Sequence, residues 1–389
     1  MPKAIIVDAV RTAIGRFGGG LAEFSAADLA TYLLKSLIER NQVPVEQVHE
    51  VILGQVLQGG SGANVARAAA IRAGLPVTVC GTVVNMVCAS GMRALEMARQ
   101  GILLDEGSIY LAGGTESMSN VPFYLKEMRW GRKLGSTEMT DGVADEGLRC
   151  PVTGMIMGMT AEEIAARTGI TRQEMDAWAL RSQERAQAAI ESGRFADEIV
   201  PVPRKKDEPF ATDEHPRETS LEALAALKPA FKEDGCVTAG NASGINDGAA
   251  AVLIVEEERA KQLGWQPRAT IVASAMTGVE PEVMGLGPVD AVRKLCAKMA
   301  VGVDEFELIE LNEAFAVQAL AVIRELGLDE ERVNVNGSGV ALGHPLGATG
   351  ARIVTTLLYE MERRDLSLGL ATLCVGGGMG MAMAIEREQ

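Results

Sequence analysis

Two cysteines and one histidine could share a covalent mechanism. Cys88 lies three residues before Gly91, His344 follows a glycine directly, and Cys374 lies two residues before a run of three glycines. A thiolate is a nucleophile, an imidazole takes up a proton near neutral pH, and a second thiol donates or accepts one. Their joint occurrence at glycine-bordered positions therefore suits a nucleophile, a base and an acid.

The residues around Cys88 predict a turn from a strand into a helix. An apolar run precedes Cys88, and Gly91, Leu95, Ala98 and Ile102 then recur at helical spacing. Free N–H groups and the helix dipole favour a thiolate at such a position, where pKa values of roughly 3.5–7.5 replace the usual ~8.5. The alternative is that Cys88 is a small buried residue in a tight turn, because free cysteines are often buried.

His344 and Cys374 each have a structural alternative as well. A single histidine in the glycine-rich stretch 336–350 could serve only to hydrogen-bond a turn, and Cys374 could be a core residue. The glycine cluster 376–380 could be a nucleotide turn. However, it has no amphipathic helix with a ribose-binding acid about 20 residues further on, and no P-loop spacing occurs. A third stretch of glycine and small polar residues covers 240–248.

Size and composition predict a multidomain protein built on small aliphatic residues. At about 150 residues per domain, 389 residues suggest two or three domains. Hydrophobic residues make up 47% and aromatic residues only 4%. The cores are therefore expected to consist of Ala, Val, Leu, Ile and Met, which lets helices lie close to a sheet.

Charge and cysteine usage narrow the classes of partner. The net charge of −15 argues against nucleic acid or an anionic membrane as the main partner. The six cysteines lack C-x-x-C spacing, so neither a metal site nor a disulfide framework is indicated. The chain starts in a strand-like run without a signal peptide, and no apolar stretch is long enough to span a bilayer. We therefore expect a cytoplasmic protein.

Strands and helices alternate along the chain, which predicts a largely parallel sheet covered on both faces. The expected strands are 4–8, 51–57, 108–112, 250–255, 269–273, 308–311 and 333–336. Helices are expected after a cap at Ser25, at 63–73, and from Pro288 and Glu313. Asn312 follows its strand as Cys88 follows its own, which indicates a twofold duplication.

Residues 117–247 contain few strand-like runs and are expected to form an insertion over the sheet. Two capping boxes, Thr160 with Glu163 and Thr171 with Glu174, predict helix starts there. The resulting division is an N-terminal α/β domain of residues 1–116 and 248–268, an inserted loop or lid domain of 117–247, and a C-terminal α/β domain of 269–389.

Five motifs together resemble the thiolase family of acetyl-CoA acyltransferases. They are NMVCASG at 85–91, GNASGINDG at 240–248, NEAF at 312–315, GHP at 343–345 and CVGGG at 374–378. The similarity covers essentially the full chain. It implies a duplicated five-layered α-β-α-β-α architecture with mixed sheets and an inserted loop domain. It also implies cleavage of 3-ketoacyl-CoA by CoA, or the reverse Claisen condensation, by a ping-pong mechanism.

The resemblance assigns a role to each candidate catalytic residue. Cys88 is the nucleophile that becomes acylated, and His344 accepts its proton. Cys374 is the acid in cleavage and the base in condensation. His344 and a water held by Asn312 stabilise the enolate, and the backbone N–H groups of Cys88 and Gly376 form a second oxyanion hole.

Coenzyme A is a substrate in this family, and no cofactor is implied. Arg217 resembles the contact on the adenine side. The other CoA-binding and substrate-binding positions carried over are Leu148, Met157, Phe231, Ala239, Ser243, Ala314 and Phe315. The loop 129–135 resembles the one that joins dimers into homotetramers. The basic run 204–206 is either a solvated face or a site for the phosphates of CoA.

One position departs from many biosynthetic relatives, and two rival functions stay open. Ile156 stands where those relatives have histidine, which favours broader or longer acyl substrates. A catalytically silent CoA-binding or scaffold subunit is one rival. A decarboxylating ketoacyl synthase of the same superfamily is the other, but its Cys-His-His site fits poorly with Cys374 in a glycine cluster. The direction of the reaction is left open.

Overall fold

The computed structural model describes residues 2–205 and 208–387 as an α/β protein with a large mixed sheet. The strands are β1 Ala4–Arg11, β2 Gly15–Arg16, β3 Glu50–Gly54, β4 Cys80–Val84, β5 Ile109–Ser117, β6 Phe123–Tyr124, β7 Thr140–Asp141, β8 Asn246–Glu256, β9 Ala269–Gly278, β10 Leu308–Leu311, β11 Leu368–Val375 and β12 Met379–Glu386. The α-helices are α1 Ala26–Asn41, α2 Val65–Arg72, α3 Ser90–Leu103, α4 Met157–Thr168, α5 Arg172–Glu191, α6 Leu221–Ala225, α7 Glu257–Gln262, α8 Gly287–Met299, α9 Ala316–Leu326, α10 Gly339–Leu342 and α11 Leu346–Arg364.

The sheet consists of two similar halves that meet at β1 and β9. The N-terminal half has the strand order β4-β3-β5-β8-β1, and the C-terminal half has the order β10-β11-β12-β9. In each half the first pairings are parallel, and the pairings nearer the junction are antiparallel. The prediction of a largely parallel sheet is therefore wrong, whereas the mixed sheets and the duplication are confirmed. The expected equivalence of Asn312 and Cys88 is wrong, because Asn312 follows β10, which has the place of β3 in its half, whereas Cys88 follows β4.

Three hydrophobic cores define five layers. The first core packs α1 and α2 on the outer face of the N-terminal half, and the third packs α8 and α9 on the outer face of the C-terminal half. The second core lies between the two half-sheets and contains α3 and α11. Within β1, Ile5 and Val7 face the first core while Ala4 and Ile6 face the second, which is why the strand is buried on both faces.

The two central helices touch at their N-termini because their first turns contain glycine. A Cβ atom on Gly91 of α3 would lie 2.8 Å from the carbonyl oxygen of Gly347 and 2.9 Å from the nitrogen of Ala351 in α11. Real Cβ atoms essentially never come this close to such groups. The small residues predicted around Cys88 therefore let a helix of one half rest on a helix of the other.

The segment predicted as a strand at 333–336 forms only a single bridge, from Val333 to Ile309. Asn334 adopts a left-handed conformation with φ of 50°. Its side chain donates to the carbonyl of Leu311 at 2.7 Å and accepts from the N–H of Leu311 at 2.8 Å. These contacts turn the chain away from the sheet at once. The helix expected from Glu313 also begins later, at Ala316.

The inserted region contains α4, α5, α6 and the short hairpin of β6 and β7, joined by long loops. The capping box of Thr171 and Glu174 at the start of α5 is confirmed. The box of Thr160 and Glu163 is wrong, because α4 already begins at Met157 and the Thr160 hydroxyl donates back to the Met157 carbonyl. The division into three domains stays a proposal.

An exposed apolar segment, residues 123–139, lies within the insertion. Its exposed side chains are Phe123, Leu125, Met128, Trp130, Leu134 and Met139. Within residues 2–205 and 208–387, no helix is long and apolar enough to cross a membrane. The same residues contain no group of three or more His, Cys, Asp or Glu side chains that could hold a metal ion.

Candidate active site

Cys88 lies in a tight turn between β4 and α3. Val87, just before it, has φ of 46°, a conformation that costs a β-branched residue on the order of 1–3 kcal/mol. Two neighbouring side chains hold the turn. Asn85 Oδ1 accepts from the N–H of Val87 at 2.9 Å, and Ser90 Oγ donates to the carbonyl of Val87 at 2.6 Å. The predicted strand-to-helix turn is thus confirmed.

Cys88 is buried, and this decides its protonation. Burial raises the pKa of the Cys88 thiol to about 11, although the backbone N–H groups of Gly376 and of Cys88 itself donate to the sulfur and lower it. The donors that favour a thiolate are present, but desolvation outweighs them. The prediction of a lowered pKa is therefore wrong for the free protein. Cys88 is a neutral thiol at neutral pH and needs a base to become a nucleophile.

His344 is held by hydrogen bonds on three sides. Its backbone N–H donates to Asn246 Oδ1 at 2.9 Å, and its Nδ1 lies 2.7 Å from Thr349 Oγ1. Since the Thr349 hydroxyl donates to the carbonyl of Pro345, its oxygen accepts from Nδ1–H. Nε2 then carries a lone pair and lies 3.4 Å from Nδ2 of Asn312. This network assigns the tautomer with an unprotonated Nε2.

Burial also keeps the imidazole neutral. Desolvation, together with the smaller effect of the positive charge of Arg352, lowers the pKa of His344 to about 3. Arg352 itself is buried on α11, where it pairs with Glu310 at 3.3 Å. A neutral imidazole can accept a proton from a thiol. His344 therefore has the protonation state that a general base requires.

Cys374 lies near the end of β11 and is fully buried. Burial raises its pKa well above the ordinary value, and the charge of nearby Cys88 raises it further. Cys374 is therefore also a protonated thiol. Gly376 follows in the β11–β12 turn, and a Cβ there would lie 3.2 Å from Cε of Met157. The structure thus brings Cys88, Cys374, Gly376 and Met157 together.

Asn312 follows β10 and is fully buried. Its backbone N–H donates to the carbonyl of Thr372 at 3.0 Å, which fixes it against β11. Its Oδ1 has no hydrogen-bond partner among the residues that the structure describes. A buried amide oxygen without a donor is costly unless something polar binds there. Asn312 therefore presents an acceptor beside His344.

The predicted CoA-binding and substrate-binding residues occur in contacting pairs. The pairs are Leu148 with Met157 through a backbone hydrogen bond of 2.8 Å, Phe231 with Phe315 with ring centroids 6.4 Å apart, Ser243 with Ala314 through a backbone hydrogen bond of 3.0 Å, and Arg217 with Ala239, where the guanidinium donates to the carbonyl at 2.8 Å. Exposure rises from buried Met157 to exposed Arg217 and Ala239. This gradient fits a ligand that enters from the surface.

The basic run at 204–206 is only partly described. Arg204 donates to the carbonyl of Glu208 at 2.8 Å and lies over the ring of Phe210. Lys206 lies outside the described residues. Arg204 packs on its own loop, which fits the solvated-face interpretation of this run.

Two profile models match consecutive parts of the chain, and together they span it. The model of the thiolase N-terminal domain matches residues 4–258, and that of the thiolase C-terminal domain matches residues 265–387. The chain belongs to the thiolase family. A thiolase from Chromobacterium violaceum, named acetyl-CoA acetyltransferase, is 53% identical over 99% of this chain and 100% of its own. An Escherichia coli acetyl-CoA acetyltransferase is 51% identical over 100% of both chains.

Solved thiolase structures have the same fold. The acetyl-CoA acetyltransferase of Bacillus anthracis superposes with a TM-score of 0.97 at 48% identity, covering 99% of each chain. Human mitochondrial 3-ketoacyl-CoA thiolase in complex with CoA superposes with a TM-score of 0.97 at 41% identity, covering 100% of this chain and 98% of the other. The protein is an enzyme of this family. Nothing in these comparisons favours a silent scaffold subunit or a ketoacyl synthase.

Two residues that position the thiolase site were missed in the sequence. Thr349 fixes the tautomer of His344, and Asn246 holds its backbone. Both lie inside motifs that the sequence singled out, at 336–350 and 240–248. The feature of the sequence that could have identified them is a polar residue among glycines. Only the fold shows that the two stretches meet at one histidine.

Proposed function

We propose that this thiolase cleaves 3-ketoacyl-CoA with CoA into acyl-CoA and acetyl-CoA, or runs the reverse condensation of acetyl-CoA. One observation carries the proposal. The buried thiol of Cys88 lies under the N–H groups of Gly376 and of Cys88 itself, with the second thiol of Cys374 beside it. A nucleophile, two oxyanion donors and an acid or base are what an acyl-cysteine mechanism needs.

In cleavage, the Cys88 proton moves to Nε2 of His344, and the thiolate sulfur forms a bond to the 3-keto carbon. The N–H groups of Cys88 and Gly376 donate to the resulting oxyanion. As the carbonyl re-forms, the bond between C2 and C3 breaks, and its electron pair stays on C2. Cys374 then gives its proton to C2, so acetyl-CoA leaves and the acyl group remains on Cys88.

The carbanion at C2 is stabilised as an enolate of the thioester. Its oxygen needs donors, and the proposal assigns them to protonated His344 and to a water held by Asn312. The unpartnered Oδ1 of Asn312 supports this assignment, because it can accept from such a water. The thiol of CoA then gives its proton to the Cys374 thiolate and attacks the acyl-cysteine, and Cys88 leaves and takes back the proton from His344, which completes the ping-pong cycle. In condensation, Cys374 acts as the base.

Coenzyme A enters this scheme as a substrate, with no cofactor. Leu148, Met157, Phe231, Ser243, Ala314 and Phe315 are proposed to line its pantetheine and acyl path, with Ala239 and Arg217 at the exposed end. Half-buried Ile156 lies directly before Met157. An aliphatic group there supports broader or longer acyl substrates. Rates with acetoacetyl-CoA and a medium-chain 3-ketoacyl-CoA test this preference.

A homotetramer in the cytoplasm is proposed for the intact protein. The exposed apolar segment 123–139 supports the assembly, because Trp130 and Leu134 are each 91% exposed. Light scattering should give the mass of four chains, and Trp130→Ser with Leu134→Ser should reduce it to that of two. An unchanged mass would contradict the role of this segment. All six cysteines are free, which supports a reducing compartment.

The activity is tested by the absorbance of the acetoacetyl-CoA enolate after CoA is added. Wild-type protein should remove the absorbance, and Cys88→Ala should not. Cys374→Ala should still accept an acyl group on Cys88 but should lose condensation. No loss of absorbance with the wild type, or full activity of Cys88→Ala, would rule out the proposed reaction.

A further inference from the structure

Glu116, at the end of β5, is a fully buried carboxylate for which the proposed reaction has no use. Its Oε2 accepts from the N–H of Val56 at 3.0 Å and from that of Gly347 at 2.8 Å, and its Oε1 accepts from the N–H of Leu57 at 3.1 Å. Val56 and Leu57 follow β3, whereas Gly347 lies in the first turn of α11. One carboxylate therefore binds backbone of both halves.

On the N-terminal side, hydrogen bonds lead from Glu116 to the turn of Cys88. Glu116 accepts from the N–H of Val56, and the carbonyl of Val56 accepts from Nδ2 of Asn85 at 3.2 Å. Oδ1 of Asn85 then accepts from the N–H of Val87 at 2.9 Å. Val87 is the residue in the left-handed conformation directly before Cys88. Glu116 thus supports the strained turn that places the thiol.

On the C-terminal side, Glu116 reaches the segment of His344. Gly347 lies three residues after His344, at the start of α11. A Cβ on Gly347 would lie 2.9 Å from Oε2 of Glu116 and 2.8 Å from Cα of Gln55. Any side chain at 347 would therefore displace the carboxylate or the backbone after β3. Glycine at this position lets Glu116 bind the helix start directly.

Glu116 also acts on Cys88 through its charge. The negative carboxylate raises the pKa of the Cys88 thiol, in addition to burial and against the two N–H donors. Burial, with a smaller contribution from the charge of Asp247, raises the pKa of Glu116 itself to about 7 against the opposing effect of its three backbone hydrogen bonds. The charged groups that act on Glu116 are therefore Asp247 and the N-terminal end of α11.

We propose that Glu116 is a positioning residue of the reaction, which fixes the Cys88 turn against the start of α11. This inference rests on the roles proposed above for Cys88 and His344. The Glu116 side chain makes two contributions. The hydrogen bonds hold the geometry, and the charge of the ionised carboxylate adds to burial in keeping the Cys88 thiol protonated.

Two variants separate these contributions. Glu116→Gln removes the charge and presents an NH₂ group to backbone donors. We expect kcat/KM for acetoacetyl-CoA cleavage to fall by about 10–100-fold, because a misplacement of about 1 Å has such an effect. We expect the pH profile of Cys88 alkylation by iodoacetamide to move about 0.5–1 unit lower. Glu116→Asp keeps the charge but shortens the reach, so kcat/KM should fall while the alkylation profile stays in place.

The matched control is Glu96→Gln, a buried glutamate on α3 whose side chain binds Arg99 and Gln100. It should change neither kcat/KM nor the alkylation profile. An unchanged kcat/KM in Glu116→Gln would overturn the inference, and so would equal shifts of the alkylation profile in Glu116→Gln and Glu116→Asp. If Glu116→Gln does not fold, Glu116→Asp is the test. An unchanged kcat/KM or a shifted alkylation profile in Glu116→Asp would then overturn the inference.

Failure of the proposed function would look different. Wild-type protein without cleavage activity, or full activity in Cys88→Ala, would remove the reaction itself. A variant of Glu116 that behaves as wild type, in a protein whose activity depends on Cys88, would remove only the role of Glu116.

Discussion

Each half of the molecule places the N-terminus of a helix at the candidate active site, and a different reactive residue precedes each helix. In the N-terminal half, β4 leads through Cys88 into α3. In the C-terminal half, the segment after Val333 leads through His344 into α11. The N-terminal turn supplies the proposed nucleophile and the C-terminal turn supplies the proposed base. The repeated backbone path fixes the position of each reacting group, and the residue type at that position fixes its chemical role.

The halves differ in how far the chain stays in the sheet. β4 pairs with β3 over five residues, whereas only Val333 bridges to β10. Asn334 turns the chain away, and its Nδ2 also donates to the buried carboxylate of Glu313 at 2.9 Å. The C-terminal half therefore has a longer irregular segment before its helix. That segment carries His344, whereas its partners Asn246, Asn312 and Thr349 come from β8, the end of β10 and α11.

His344→Ala should have the largest effect among changes that test this difference. Without the base, the buried thiol of Cys88 has no proton acceptor, so kcat/KM should fall by about 10²–10⁴-fold. Cleavage of acetoacetyl-CoA measures the effect. Retention of the fold is checked by circular dichroism. Activity within about threefold of the wild type would contradict a division of roles between the two turns.

Asn312→Ala should come next. It removes the amide beside His344 and leaves the enolate with fewer donors, so kcat should fall by about 10²-fold. Acyl transfer from acetyl-CoA to Cys88 should be affected less than condensation, because that transfer does not pass through an enolate, whereas condensation does. Equal losses in both steps would show that Asn312 supports the structure of the site and does not act on the enolate.

Thr349→Val should have a smaller effect of about 10-fold on kcat/KM. The variant keeps the shape of Thr349 but removes the acceptor for Nδ1–H, which leaves a buried donor unpaired at about 1–3 kcal/mol. Thr349→Ser should restore activity, because it keeps the hydroxyl. Equal activity of the Val and Ser variants would show that the tautomer is set by other contacts.

Gly91→Ala should have the smallest effect on activity and a clear effect on stability. The added Cβ would press on the carbonyl of Gly347, where the halves touch. Overpacking of this kind lowers the free energy of unfolding by about 1–3 kcal/mol. Urea unfolding measures it, and Gly278→Ala, where a Cβ meets only the carbonyl oxygen of Gly378 at 3.8 Å, controls for glycine removal alone. A loss no greater than in the control would contradict the close contact.

The sequence predicted the residues of the site better than their electrostatics. The motifs that contain Cys88, His344, Asn312 and Cys374 could be recognised because glycine and small residues border each reacting group. The pKa of Cys88 was predicted in the wrong direction, because the local pattern shows the helix terminus but not how deeply the thiol is buried. Burial depends on α11 and on the β11–β12 turn, which lie more than 250 residues away.

Local patterns failed where tertiary contacts replaced them. Thr160 and Glu163 have the spacing of a capping box, but α4 begins one turn earlier and buries Thr160. Residues 333–336 are strand-like, but the side chain of Asn334 binds Leu311 and ends the pairing. Thr160 donates to Met157 within the same helix, whereas Asn334 binds a partner on another segment. No spacing within the segment itself could have shown that partner.

The junction of the half-sheets has a consequence for how the protein unfolds. β1 and β9 pair through only two residue pairs, Ile5 with Thr270 and Ile6 with Ala269. So short a pairing would, by itself, let two domains unfold separately. However, α11 belongs to the C-terminal part of the chain and still packs on β5 and β8 of the other half. Neither half can lose its structure without exposing the shared core, which couples the unfolding of one half to that of the other.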